Sequence, residues 1–243
     1  MDRMIYLSMA GAKAAMQRQD VLSNNLANVS TNGFRAEMQA FRAVPVRGDG
    51  ASTRAYSLET SVGYNDSPGV MQVTDRNLDV AMQGNAWLAV QANDGTEAYT
   101  RAGALDVNSE GVLVMRNGAQ VQGDGGVIQV PQNAEVTIGV DGTVSAKTAD
   151  SPRAVPIGKL KMVTSADPLQ RGDDGLFRAG DGNDLPLDPN ARLQDGALEG
   201  SNVSPVETMV SMIAAARQFE QQMKLLQIAQ TQGQESAKLL SNT

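Results

Sequence analysis

Apolar residues at Ile5, Met9, Ala12, Ala15, Met16, Leu22, Leu26 and Val29 recur mostly in steps of three, four and their sums. That is the period of one face of an α-helix, so an amphipathic helix is expected to open the chain. Asn32-Gly33 is a helix-ending pair, and Asn28 to Thr31 offers an earlier end. From Ala43 to about Met71 the helical period is lost among Pro45, Gly48, Gly50, Gly63 and Pro68. This reads as an extended connector with short strand pieces. Between about Gln72 and Leu198 short β-like runs sit before turn signals. Trp87 to Gln91 precedes Asn93-Asp94-Gly95, Val112 to Met115 precedes Asn117-Gly118, and Val136 to Val140 precedes Asp141-Gly142. Runs at Val121 to Gln122, Val127 to Val130 and Leu160 to Thr164 fit the same antiparallel sheet or barrel.

The last block opens on Ser204-Pro205-Val206-Glu207, with Ser204 placed to cap, Pro205 in the first turn and Glu207 completing a capping box. Met209, Met212, Ala216, Phe219, Met223, Leu226, Gln230, Gly233, Ala237 and Leu240 then alternate steps of three and four, the spacing of a coiled-coil seam. Gln230 and Gly233 weaken it, so this helix needs a partner surface. The predicted class is α+β, with coiled-coil-forming terminal helices flanking an all-β middle. The expected blocks are 1–42 for the first helix, 43–71 for the connector, 72–198 for the β-rich domain and 199–243 for the last helix.

Composition narrows the function classes. Among 243 residues there is no Cys and no His. Disulfides, thiolate chemistry, imidazole general bases and the commonest zinc ligands are therefore unavailable. The net charge of −7 is unevenly placed: residues 1–47 carry six basic and three acidic residues, residues 204–243 carry three of each, and the middle carries 11 basic against 21 acidic. An acidic middle argues against nucleic-acid binding. No stretch reaches the roughly 20 apolar residues of a membrane span, and the N-terminus lacks the apolar core of a cleavable signal. Any exit from the cytoplasm is expected to use another route.

Candidate chemistry is thin. Gly123-Asp124-Gly125-Gly126 lacks the Gly-Lys-Ser/Thr ending of a phosphate loop and reads as a β-turn. Asp181-Gly182-Asn183-Asp184 starts like a calcium loop, but Leu185 takes the fifth ligand place and Arg192 the twelfth. Asp75, Asp79, Asp106 and Glu110 are carboxylates of the kind glycosidases pair, yet nothing singles out two of them, and Trp87 reads as core rather than as a sugar platform. The sequons at Asn28 and Asn202 abut expected helix ends, where Asn and Ser serve as caps. No catalytic residue, cofactor or metal is expected.

Leu22-Ser-Asn-Asn-Leu-Ala-Asn-Val-Ser-Thr-Asn-Gly-Phe-Arg35 closely resembles the N-terminal motif shared by bacterial flagellar rod and hook proteins. Ala98 to Asp106, continuing through Gly111 and Gly118, and Leu198 to Glu207 resemble further blocks of that family. The opening Met1 to Tyr6, Arg42 to Val46 and the overall length are most similar to its proximal-rod members, with distal-rod members next. The resemblance implies a structural subunit of the periplasmic drive shaft whose terminal helices pack as an inner coiled-coil tube while the β domain faces outward. It also implies unfolded export through the flagellar type III apparatus. The implied partners are other rod proteins and copies of the chain.

Function is accordingly expected to reside in helical assembly through heterologous contacts. The expected subunit-contact residues are Ile5, Met9, Leu22, Asn24, Asn25, Leu26, Asn28, Val29, Gly33 and Phe34 at one end, and Val206, Met209, Met212, Ala216, Phe219, Met223 and Leu226 at the other. Two readings from other classes compete: a secreted β-domain enzyme or binding protein acting on polysaccharide, and a coiled-coil adaptor or chaperone.

Overall fold

A computed structural model of the chain describes residues 2–45, 55–148 and 151–241. Two helices, α1 (Asp2–Ala27) and α2 (Pro205–Ser241), flank a succession of short strands, which bears out the α+β class. The chain divides into two units. One gathers Met1–Val29, Arg35–Asp66 and Val203–Thr243, and the other gathers Ser30–Phe34 and Ser67–Asn202.

In the helical unit α1 and α2 pack along each other. Gly11 and Gln222 meet about equally far from the end of α1 and the start of α2, as an antiparallel pair requires; a Cβ on Gly11 would lie 2.9 Å from the Gln222 side chain. The buried face of α1 is built from Ser8, Ala12, Ala15 and Asn25, and that of α2 from Thr208, Ala215 and Ala229. Half-buried Met212, Phe219, Gln222, Leu226 and Gly233 complete a heptad spacing on α2. This seam shares Met212, Phe219, Leu226 and Gly233 with the one read from the sequence, but takes Thr208, Ala215, Gln222 and Ala229 where Met209, Ala216, Met223 and Gln230 were expected. At Thr208 and Ala229 the smaller side chain takes the seam and lets the backbones approach, whereas the longer Gln222 lies against Gly11, which has no side chain. The side chains of Ala237 and Leu240 lie outside the described residues. Ala215 is 1% exposed, so Ala215→Leu overpacks the seam and is expected to cost about 1–3 kcal/mol, read as a lower helical melting temperature by circular dichroism.

α1 ends at Ala27, before Asn32-Gly33. Ser204 caps α2 as the sequence suggests: its Oγ accepts the Glu207 N–H at 3.4 Å. Much of the expected connector is strand. β1 (Glu37–Pro45) and β2 (Ala55–Tyr64) pair antiparallel, from Glu37 opposite Tyr64 to Pro45 opposite Ala55, with a bulge between Ala40 and Phe41. Gly48 and Gly50 lie outside the described residues.

The β unit is built on an open antiparallel sheet whose centre is the strand Ala86–Gln91, flanked by Glu97–Thr100 and Gln120–Gly123, with Met162–Thr164 also paired to it. A three-stranded sheet of Glu135–Ile138, Thr143–Thr148 and Ser151–Lys159 adjoins this sheet in one core, where Leu88, Val90, Leu105, Val121, Val144 and Leu160 are fully buried. The turns fall where Asn-Asp-Gly, Asn-Gly and Asp-Gly predict them. Trp87 is core, its ring 4.7 Å from that of Phe177.

Loop carboxylates of this unit are held below the usual range of about 3.9. Asp94, Asp141 and Asp188 are lowered first by side-chain hydrogen bonds from Thr96, Thr143 and Thr164, and Asp174 by Arg178. A lowered folded-state pKa stabilises the fold above the unfolded value, and that gain is lost as pH falls through the folded one. No imidazole titrates near neutrality. The unfolding temperature of the β unit is therefore expected to stay level from about pH 5 to 8 and to drop below about pH 4, measured by scanning calorimetry.

Candidate assembly surfaces

On α2 the side opposite the α1 seam carries Val206, Val210 and Ile213, which are 68, 62 and 56% exposed, with Ile228 in line further along. α2 is thus apolar on two opposite faces, the pattern of a helix buried on both sides, yet among the described residues only one side is covered. On α1, Met9 and Met16 stand two turns apart on one exposed face, and Tyr6 is exposed as well. Of the expected contact residues, Met9, Asn24, Val206, Met209 and Met223 are exposed, whereas Ile5, Leu22, Leu26, Asn28, Val29, Met212, Ala216, Phe219 and Leu226 are half-buried. Val210, Ile213 and Ile228 were missed, because a single seam was sought in a helix whose run Met209 to Ala216 is apolar nearly all round.

The remaining members of the motif are turned into the chain itself. Asn25 is buried; its Nδ2 donates to the Glu37 carbonyl at 2.9 Å and its Oδ1 accepts the Glu37 N–H at 2.8 Å, tying α1 to the start of β1. Asn28 Nδ2 donates to the Asn24 carbonyl and to Asn24 Oδ1, each at 3.0 Å, at the end of α1. Gly33 and Phe34 are buried in the β unit. Gly33 sits at φ 69°, and a Cβ there would lie 2.2 Å from the Ala102 nitrogen, so no side chain is admitted. Its N–H donates to the Glu199 carbonyl at 2.7 Å, and the Phe34 carbonyl accepts from Asn202 N–H at 3.3 Å.

Beneath this contact lies a buried ion pair. Arg101 and Glu199 are 2 and 1% exposed, with Arg101 Nη2 2.6 Å and Nε 2.8 Å from Glu199 Oε2. Arg101 also donates to the carbonyls of Met82, Gly84 and Ala86, and Glu199 Oε1 accepts the Gly69 N–H at 2.9 Å. Every strong hydrogen-bonding group of the pair is used, the condition under which a buried pair is tolerated. The three sequence blocks around Phe34, Arg101 and Glu199 therefore meet at one place, a convergence that spacing along the chain could not show.

Two of the candidate carboxylates share one cation. Arg76 lies 3.2 Å from Asp79 and 3.7 Å from Asp106, holding both as counter-ions. Asp181 accepts from Asn183 across an exposed turn, and Asn202 spends its amide on the Ser67 carbonyl at 2.8 Å. Among the described residues no helix is long and apolar enough to cross a membrane.

Exposed apolar side chains on both terminal helices, Tyr6, Met9 and Met16 on one and Val206, Val210 and Ile213 on the other, are surfaces suited to association. Three family models match the chain: a flagella basal body rod protein model over residues 5–35, a flagellar hook protein FlgE/F/G D1 domain over residues 81–146, and a flagellar basal body rod FlgEFG protein C-terminal model over residues 194–239. The chain is 47% identical to the flagellar basal-body rod protein FlgF of Salmonella typhimurium, with 93% of each chain covered. It is 44% identical to the FlgF of Escherichia coli, with 99% of each covered. Identity to the rod protein FlgG of Bacillus subtilis is 31%, over 92% of this chain and 94% of that one. The chain belongs to the flagellar basal-body rod protein family, is most like its FlgF members, and is a structural subunit of the rod.

Proposed function

We propose that the chain acts by polymerising without chemistry, its terminal helices joining those of copies and of other rod proteins in a helical tube within the proximal, periplasmic part of the drive shaft. The observation that carries this reading is the second apolar face of α2, Val206, Val210 and Ile213, which no described residue covers. Heterologous contacts, in which this face meets a different surface of the next subunit, propagate as a helix instead of closing a ring. The expected contact residues Met9, Met209 and Met223 are exposed as well, and methionine adapts to unlike neighbours. Passage to the assembly site proceeds through the flagellar type III apparatus. In intact basal bodies, a photo-crosslinker at position 213 should link the chain to rod proteins or to itself. Crosslinks confined to the chain's own β unit would overturn the reading.

A further inference from the structure

The segment Ser30–Phe34 is a short excursion: the residues on either side of it belong to the helical unit, and it alone belongs to the β unit. Its seat is a closed circuit of contacts. The Arg171 guanidinium lies over the Phe34 ring at 4.2 Å and over the Phe177 ring at 5.5 Å. Phe177 packs on Trp87, and the Arg101 guanidinium lies 5.9 Å from the Trp87 ring centre. Arg101 is paired with Glu199, whose carbonyl receives the Gly33 N–H. The segment itself is a tight turn, closed by the Phe34 N–H on the Thr31 carbonyl at 3.3 Å, with Gly33 in its left-handed position.

We propose that the β unit carries a peptide-binding site whose ligand is a Gly-Phe turn, normally filled by the chain's own residues 30–34 acting as a detachable plug. The recognition elements are those of a peptide site rather than of a continuous core. One pocket takes one aromatic ring beneath a guanidinium, one carbonyl and one N–H from Glu199 and Asn202 bracket the backbone, and the close approach to Ala102 excludes every residue but glycine before the ring. The strands beneath have their own ladders and core, so the plug leaves without unfolding them. Covalent tethering supplies an effective concentration on the order of millimolar, which keeps the seat filled in the intact chain. This inference does not depend on the rod reading.

Hydrogen exchange on the full wild-type chain tests the plug directly. The Gly33 amide should exchange at least about tenfold faster than the Ala89 amide, which donates within the sheet to Lys161, because local opening precedes global unfolding. Equal rates would overturn the proposal. Phe34→Ala in the full chain empties the ring pocket, and a labelled peptide of residues 28–37 should then bind saturably, shifting the emission of the only tryptophan, Trp87. Wild type should not bind it, and Phe34→Ala with Arg171→Ala should bind about tenfold more weakly than Phe34→Ala alone. A folded Phe34→Ala chain that ignores the peptide, or binds it equally without Arg171, would refute the site. If Phe34→Ala fails to fold, the wild-type exchange rates decide.

Discussion

A chain carrying Val210→Asp and Ile213→Asp will melt nearly as the wild type does and will not enter rods. Both side chains stand in water on the side of α2 away from the α1 seam. Each carboxylate therefore costs the free subunit only a small difference in helix propensity, about 0.2 kcal/mol. In an assembly that covers this face, each charge must be desolvated without a partner, which costs several kcal/mol apiece and recurs in every subunit. The measurements are a melting curve of the purified chain and the yield of rods and swimming cells. Normal rods from a variant chain would show that this face is never covered. Phe219→Asp is a poorer probe, because Phe219 is half-buried in the seam with α1 and its loss confounds folding with association.

Glu199→Ala is expected to lower the stability of the β unit by about 3–5 kcal/mol, the usual penalty for stranding one member of a buried pair. Arg101 keeps its carbonyl acceptors on Met82, Gly84 and Ala86 but loses its counter-charge, and the Gly69 N–H loses its acceptor. The denaturant midpoint followed by Trp87 emission gives the answer. Replacing both partners, Arg101→Met with Glu199→Leu, should recover much of the loss, because the stranded charge disappears. A Glu199→Ala midpoint equal to wild type would show that the pair contributes nothing to the β unit.

The terminal helices and the β-rich middle were legible because each rests on local signals. The Ser204 cap, the Asn-Gly and Asp-Gly turns, and alternation of three and four need no knowledge of distant residues. The seam was only half legible: Met209 and Met223 outrank Thr208 and Gln222 in hydrophobicity, but the seam takes the smaller Thr208, and Gln222 where Gly11 opposite leaves room for it. Whether Gly33 closes a helix or serves another turn is equally hidden, since a left-handed glycine looks the same in either role. It serves here to press the backbone against Ala102, far along the chain. β1 and β2 were obscured by the Pro and Gly that bracket them. The Arg101–Glu199 pair lay in plain view within two of the family blocks, but its burial is a fact of long-range packing.

The chain passes between its two units at 29/30, 34/35, 66/67 and 202/203. α1 is thus made before the described strands and α2 after them. A growing polypeptide has no way to zip these two helices together until α2 has been made, and contacts so remote in sequence form slowly even then. The same order of elements that pairs the helices in the finished molecule leaves them apart in the newborn one.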